Sequence, residues 1–298
     1  MKFEHILFPV DFSQRIQLLN PAVEWMATHF GSQVTLIHVF EIPATWSGIV
    51  HVPLVNVRCF DAFSERAERS LNDYSIHLPQ RQVQRVIEDG DAAGQITNWA
   101  DEHNVDLIMM ATHGYGRKRE FLLGSVTAKV IHDANCAVWT DSLLHLREKG
   151  HPKSATVLCV VELGQETIPL LRFAGQLAVE FRARVHVIHA VRKAEARRRK
   201  WFDFDSSRDL ADYARMEISK RQSVAGTDFP VIISEAATSE VVTTFAVEKH
   251  ADLILIARGT ANDKVGRLRT HAYHIIRDAP CPVLSYPLCH QDGICSSC

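Results

Sequence analysis

The sequence has no uninterrupted apolar segment approaching the roughly 20 residues that a membrane-spanning helix requires. It also lacks an excess of charge of either sign, because 33 Lys and Arg against 35 Asp and Glu give a net charge of −2. This balance argues against a general binder of nucleic acid or of anionic membranes. The 16 histidines show no HExxH or similar metal-binding spacing, and the seven cysteines form no paired framework. We therefore expect a cytoplasmic protein with no membrane segment and no nucleic-acid partner.

The length and composition are those of two ordinary globular domains. The chain has 298 residues, of which 46% are hydrophobic and 23% charged, as is typical of a soluble α/β protein. Met1 is followed within a few residues by an apolar, strand-like run, so we expect no signal peptide here.

In the first half, short apolar runs alternate with amphipathic helical patterns. Ser13 is a predicted N-cap, and the apolar segment 40–57, which holds two prolines and Trp46, predicts an irregular loop. The alternation predicts a mostly parallel sheet with helices on both faces. The predicted strands are residues 5–10, 34–39, 83–88, 107–111 and a last strand from 136, and the predicted helices are residues 14–30, 62–77, 92–103 and 126–133.

The second half repeats the first. Residues 155–162 align with residues 5–11, which places Glu162 where Asp11 stands, and both halves carry an Ile-His pair near the end of the second strand. A repeat of this long period indicates two copies of one domain. The predicted divisions are a first domain 1–141, a linker 142–154, a second domain 155–287 and a Cys-rich tail 288–298.

The most informative stretch is residues 106–140. The predicted buried strand Leu107–Ala111 leads into Thr112-His113-Gly114, and Gly124-Ser125 precedes a predicted helix. Ser125 is placed to cap that helix, while Gly124 allows the backbone to approach a ligand. Because a helix N-terminus offers free N–H groups to anions, this stretch predicts a phosphate site.

Both halves resemble the universal stress protein family, over nearly all of the chain except the linker and the tail. The family's nucleotide motif has Gly, two residues, Gly, nine residues, Gly and then Ser or Thr. Here those positions are Ala111, Gly114, Gly124 and Ser125, so three of the four match with the correct spacing. Ala111 departs from the motif and adds a methyl group beside the expected phosphates. The resemblance implies two doubly wound, Rossmann-like domains in tandem, of the adenine nucleotide α-hydrolase-like class.

The resemblance also implies that the first domain binds ATP, with Mg²⁺. All of the implied contacts lie at the carboxyl ends of predicted strands or in the loops that follow, where open α/β sheets bind ligands. The implied adenine and ribose contacts are Pro9, Val10, Asp11 and Val39. The implied ribose and phosphate contacts are Met110, Ala111, His113, Gly114, Gly124, Ser125, Val126 and Thr127.

The second domain departs further from the motif. Its loop is one residue shorter, Arg269 replaces the glycine before Thr270, and Asp263 would place a negative charge near a bound anion. We expect this domain to be a structural pseudo-dimer partner that does not bind nucleotide. The alternative is a different small ligand held partly by Arg258 or Arg269.

Three functions follow as hypotheses. In the first, ATP binding regulates a stress-response protein, which could form a homodimer and engage an unknown protein partner through the loop 40–57. In the second, the same site slowly hydrolyses ATP, with Asp11 as the one obvious carboxylate and His113 orienting water. The SGGxD and HIGH-type signatures of adenylating relatives are absent from the sequence. In the third, the tail senses redox state or metal. The candidate residues there are Cys289, His290, Cys295 and Cys298.

Other cysteines and histidines favour structural roles. Cys136, Cys159 and Cys281 lie in or beside predicted strands, where cysteine is usually inert core. His38 and His189 stand near strand ends, where we expect hydrogen-bonded structural histidines rather than catalytic bases.

Overall fold

The computed structural model describes residues 2–41, 53–112, 123–142, 155–191, 207–235, 238–258 and 270–287. The chain divides into two compact units, and the division falls between Trp139 and Thr140. Within the described ranges, no helix has the length and apolar character needed to cross a membrane.

The first unit is built on a parallel sheet in the order β3-β2-β1-β4-β5. β1 pairs in parallel with β2 and with β4, and β2 pairs in parallel with β3. The order reverses between β1 and β4, and such a switch point is where doubly wound sheets bind ligands. The strands are β1 (His5–Pro9), β2 (Gln33–Phe40), β3 (Val83–Asp89), β4 (Leu107–Ala111) and β5 (Ala137–Asp141).

The helices of the first unit connect these strands, as the alternating pattern predicts. They are α1 (Gln14–Gln17), α2 (Asn20–Phe30), α3 (Pro53–Asn72), α4 (Ala92–Glu102) and α5 (Ser125–Asp133). The prediction of one helix over residues 14–30 is wrong. Pro21 has no N–H to donate to the Gln17 carbonyl, so the helix stops and restarts there. The predicted cap is confirmed, since the Ile16 N–H donates to Ser13 Oγ at 3.2 Å.

Helix α3 begins and ends earlier than the predicted range 62–77. It starts at Pro53, so the last five residues of the predicted loop 40–57 are helical, and residues 42–52 lie outside the described part of the chain. Proline is well suited to a first helical turn because the N–H it lacks has no partner there. The helix ends at Asn72, and Arg85 Nε donates to the Leu71 carbonyl at 3.0 Å, which satisfies a carbonyl of the last turn.

The second unit repeats this arrangement in the order β10-β9-β6-β7-β8. Asp106 Oδ2 accepts the His5 N–H at 2.9 Å in the first unit, and Asp252 Oδ2 accepts the Thr156 N–H at 2.8 Å in the second. The predicted tandem of two mostly parallel α/β domains is confirmed. The elements are β6 (Thr156–Val160), α6 (Thr167–Glu180), β7 (Arg184–Ala190), α7 (Ser207–Ala225), β8 (Val231–Ser234), α8 (Thr238–Glu248), β9 (Leu253–Arg258), α9 (Thr270–Asp278) and β10 (Val283–Pro287).

Candidate functional site

The carboxyl end of β1 carries the first group of predicted site residues. Strand β1 ends at Pro9, and the Val10 N–H donates to the Ile37 carbonyl of β2 at 2.8 Å. The next residue, Asp11, is half-buried, and its Oδ1 accepts the Ser13 N–H at 2.9 Å. Val39 lies near the end of the neighbouring strand β2 and is also half-buried. The structure therefore brings Pro9, Val10, Asp11 and Val39 to one edge of the sheet.

Phe12 and His38 hold the segment that carries Asp11. Phe12 has φ 59, a left-handed conformation that is rare for a bulky residue. Its ring lies 4.2 Å from the His38 ring, centroid to centroid, and the Val10 carbonyl accepts a hydrogen bond from His38 Nδ1 at 2.7 Å. Burial lowers the pKa of His38, and the bond to Val10 and the charge of Asp11 partly offset this. His38 is thus a hydrogen-bonded histidine, as we expected.

The end of β4 and the start of α5 form the second group. Met110 and Ala111 are buried at the end of β4. The Gly124 N–H donates to the Thr112 carbonyl at 2.9 Å, and Thr127 Oγ1 donates to the Ala111 carbonyl at 3.0 Å. These two bonds fix the first turn of α5 on the end of β4. The predicted contacts His113 and Gly114 lie outside the described residues.

The predicted cap of α5 is wrong. The N-cap residue is Gly124, with φ −57 and ψ 141, and Ser125 is the first helical residue; the N-cap glycine has no side chain with which to cap the helix. Because any residue adopts these angles, the backbone at this position does not require glycine. The Ala128 N–H makes the first helical bond, to the Gly124 carbonyl at 2.8 Å. The N–H groups of Ser125, Val126 and Thr127 precede that bond and are placed to bind an anion.

An ion pair links α5 to the start of α4. Asp91 Oδ2 accepts the Gly94 N–H at 2.9 Å, which caps α4, and also accepts Lys129 Nζ at 2.7 Å. The bond to Lys129 lowers the pKa of Asp91. Both side chains are exposed, so water and salt screen the pair and it contributes little stability. This pair was not predictable from the sequence, because no local pattern joins residues 38 positions apart.

Comparison with known proteins identifies the family. The model of the universal stress protein family matches residues 2–140 and again residues 154–287. The chain belongs to the universal stress protein family.

Relatives of this tandem universal stress protein include single-domain members. It is 27% identical over 145 residues to universal stress protein A homolog 1 of Coxiella burnetii. That match spans 47% of this chain and 98% of the relative. It is 24% identical over 147 residues to universal stress protein MJ0577 of Methanocaldococcus jannaschii. That match spans 45% of this chain and 91% of the relative. The crystal structure of a universal stress protein from Archaeoglobus fulgidus has the same fold, with a TM-score of 0.70 and 17% identity over 96% of this chain and 99% of that one.

The second domain keeps the histidine bond at the end of its first strand but lacks the threonine that fixes the helix in the first domain. The His189 Nδ1 bonds the Val161 carbonyl at 2.8 Å, and Leu163, at the position of Phe12, has φ 58. Ala272 stands where Thr127 stands in the first domain and has no hydroxyl to fix the helix to β9. Arg258, a predicted alternative ligand, ends β9 with 1% of its surface exposed. The remaining loop residues 259–269, with Asp263 and Arg269, lie outside the described part of the chain.

The cysteines in the part of the chain that the structure describes include one in the core of the second domain. Cys159 is fully buried in β6, and burial raises the pKa of its thiol to about 12. Within the described ranges, no group of three or more His, Cys, Asp or Glu side chains is arranged to hold a metal ion. The candidate redox or metal residues of the tail, Cys289, His290, Cys295 and Cys298, lie outside those ranges, so that hypothesis stays a prediction.

Proposed function

We propose that the first domain of this universal stress protein binds ATP together with Mg²⁺, and that the bound nucleotide regulates the protein in a stress response. The observation that carries the proposal is the start of α5, where the N-cap is a glycine, held by the Gly124 and Thr127 bonds at the end of β4. β4 is the direct neighbour of β1, which carries Asp11 just beyond its end.

The residues at this edge fit the two parts of ATP. The N–H groups of Ser125, Val126 and Thr127, together with the helix dipole, favour the phosphates. The Asp11 carboxylate accepts hydrogen bonds and suits a ribose hydroxyl or the adenine amino group. Mg²⁺ is usually held largely by the phosphates and by water, so it requires few protein ligands.

Within this proposal, we assign two of the α5 residues implied by the resemblance to positioning the helix. The Gly124 N–H already donates to Thr112, and the Thr127 hydroxyl already donates to Ala111. Both groups therefore position the helix rather than contact phosphate. Ser125, whose side chain is exposed, keeps its hydroxyl as well as its N–H for the ligand.

We assign the second domain a structural role, as the pseudo-dimer partner of the first. Ala272, at the sequence position of Thr127, has no hydroxyl to make the bond that Thr127 makes in the first domain, and Arg269 is the residue at the sequence position of Gly124. We also propose that the protein forms a homodimer and that it binds a protein partner in a way that depends on the bound nucleotide.

Calorimetric titration with MgATP tests the proposal. Gly124→Leu adds bulk at a backbone conformation that leucine adopts freely, and Gly124→Arg copies the residue of the second domain. We expect about one site per chain, with each variant weakening binding by at least about tenfold through steric conflict with the phosphates.

Arg269→Gly is the matched control, because it alters the equivalent position of the second domain. We expect it to bind ATP as the wild type does. If the Gly124 variants kept full affinity while Arg269→Gly changed it, the site would lie in the second domain and the proposal would be wrong.

A further inference from the structure

His38 makes two contacts with the segment that carries Asp11. Its Nδ1 lies 2.7 Å from the Val10 carbonyl oxygen, and its ring lies 4.2 Å from the Phe12 ring. Because a carbonyl only accepts hydrogen bonds, Nδ1 carries the proton and donates it. His38 therefore contacts the residue before Asp11 through a hydrogen bond and the residue after it through a ring contact.

The direction of the Asp11 carboxylate depends on these contacts. The Val10 N–H donates to the Ile37 carbonyl and the Val10 carbonyl accepts from His38, so both backbone groups of Val10 are fixed to β2. Phe12 then turns the chain in a left-handed conformation that side chains of its size rarely adopt. Such a conformation persists where surrounding contacts determine it, and such sites cluster where ligands bind.

The second domain contains one of the two contacts but not the other. His189 makes the same bond to Val161, and Leu163 makes the same left-handed turn. However, Leu163 has no ring to pack against His189, and Glu162 stands in place of Asp11. The hydrogen bond therefore belongs to the fold of both domains, while the ring contact and the aspartate are combined in the first domain.

We propose that His38, acting with Phe12, is a positioning residue for nucleotide binding in the first domain: it presents the Asp11 carboxylate to the adenosine part of the ligand. This inference rests on the proposed ATP site and concerns its adenosine half. The phosphate half is set by α5 and does not depend on His38.

Two substitutions separate the contacts of His38. His38→Asn keeps an N–H donor close to the position of Nδ1 but removes the ring, whereas His38→Phe keeps a ring but removes the donor. Phe12→Leu removes the ring contact in another way, and it copies a residue that the second domain already holds in the same left-handed turn. Phe12→Leu is therefore expected to fold even if a substitution at His38 does not.

Dissociation constants for MgATP and melting temperatures should be measured for the full-length variants. We expect about tenfold weaker ATP binding for His38→Phe, and about threefold for His38→Asn and Phe12→Leu, since one lost hydrogen bond corresponds to roughly a factor of ten. Inorganic tripolyphosphate, used as a competitor, should bind His38→Phe within about twofold of the wild type, because only the adenosine contacts change.

His189→Phe is the matched control, since it removes the equivalent bond in the second domain. It should lower the melting temperature in the same way as His38→Phe and leave ATP affinity unchanged. Wild-type ATP affinity in His38→Phe and Phe12→Leu would overturn this inference alone, and so would an equal loss of ATP and tripolyphosphate binding. Failure of the wild-type protein to bind ATP would overturn the proposed function and this inference together.

Discussion

The hydroxyl of Thr127 should hold the first turn of α5 on the end of β4. Thr127 is 4% exposed, and its Oγ1 donates to the Ala111 carbonyl at 3.0 Å, across 16 residues of chain. Thr127→Val replaces the hydroxyl with a methyl group of similar size. The substitution therefore removes the hydrogen bond while leaving the packing nearly unchanged.

The expected loss of stability follows from that bond. A buried hydrogen bond contributes about 1 kcal/mol net, and leaving a buried acceptor without a partner costs about 1–3 kcal/mol. We expect Thr127→Val to lower the free energy of unfolding of the first domain by about 1–2 kcal/mol and its melting temperature by about 3–6 °C. We also expect ATP affinity to fall by about three- to tenfold, because the N–H groups of the first turn are no longer fixed.

Scanning calorimetry and ATP titration of the full chain measure both effects. Thr97→Val is the matched control, since Thr97 is similarly buried but donates to the Ala93 carbonyl within its own helix at 3.0 Å. That carbonyl has the helical hydrogen bond as well, so the control should lose less stability and no ATP affinity. If the two variants were alike in both measurements, the bond from Thr127 to Ala111 would have no special role.

Three further predictions concern groups outside the site. Burial lowers the pKa of His5 below its ordinary 6.5, so protonation favours the unfolded chain and the free energy of unfolding falls as the pH drops below about that value. His5→Gln should make this loss of stability shallower in urea unfolding between about pH 7 and 5. An unchanged dependence of stability on pH would count against this role of His5. Cys159, with its raised pKa, should resist iodoacetamide in the folded protein at pH 8 and react after denaturation, as peptide mapping can show. Tyr74→Phe, which removes a hydrogen bond to Asn20 Oδ1 of 2.6 Å, should cost about 1 kcal/mol in denaturant unfolding, and no loss would mean that water replaces the bond.

The sequence predicts the strands of this protein better than its helix ends. Buried parallel strands such as Leu107–Ala111 are short, continuous apolar runs with clear boundaries. Helix ends depend on single hydrogen bonds that periodicity does not reveal. Pro21 lacks the N–H that would continue α1, and at the end of α3 Arg85 bonds the Leu71 carbonyl. The same is true of Ser125, a good capping residue by type that instead begins the helix after Gly124.

The grouping of the candidate site residues was predictable from strand ends, whereas the hydrogen bonds that hold them were not. Position relative to strand ends was enough to group Asp11 and Val39, because the carboxyl ends of parallel strands share one edge. The bonds from Thr127 to Ala111 and from His38 to Val10 join residues 16 and 28 positions apart. Such bonds need the folded chain, as does the left-handed turn at Phe12, which no residue preference suggests.

The most direct test of the ATP proposal is mass spectrometry of the nucleotide released when freshly purified protein is denatured. Wild type and Arg269→Gly should each release ATP or ADP at about one molecule per chain, and Gly124→Leu should release none or far less. Equal nucleotide from Gly124→Leu, or none from the wild type even after incubation with MgATP, would contradict the assignment of an ATP site to the first domain.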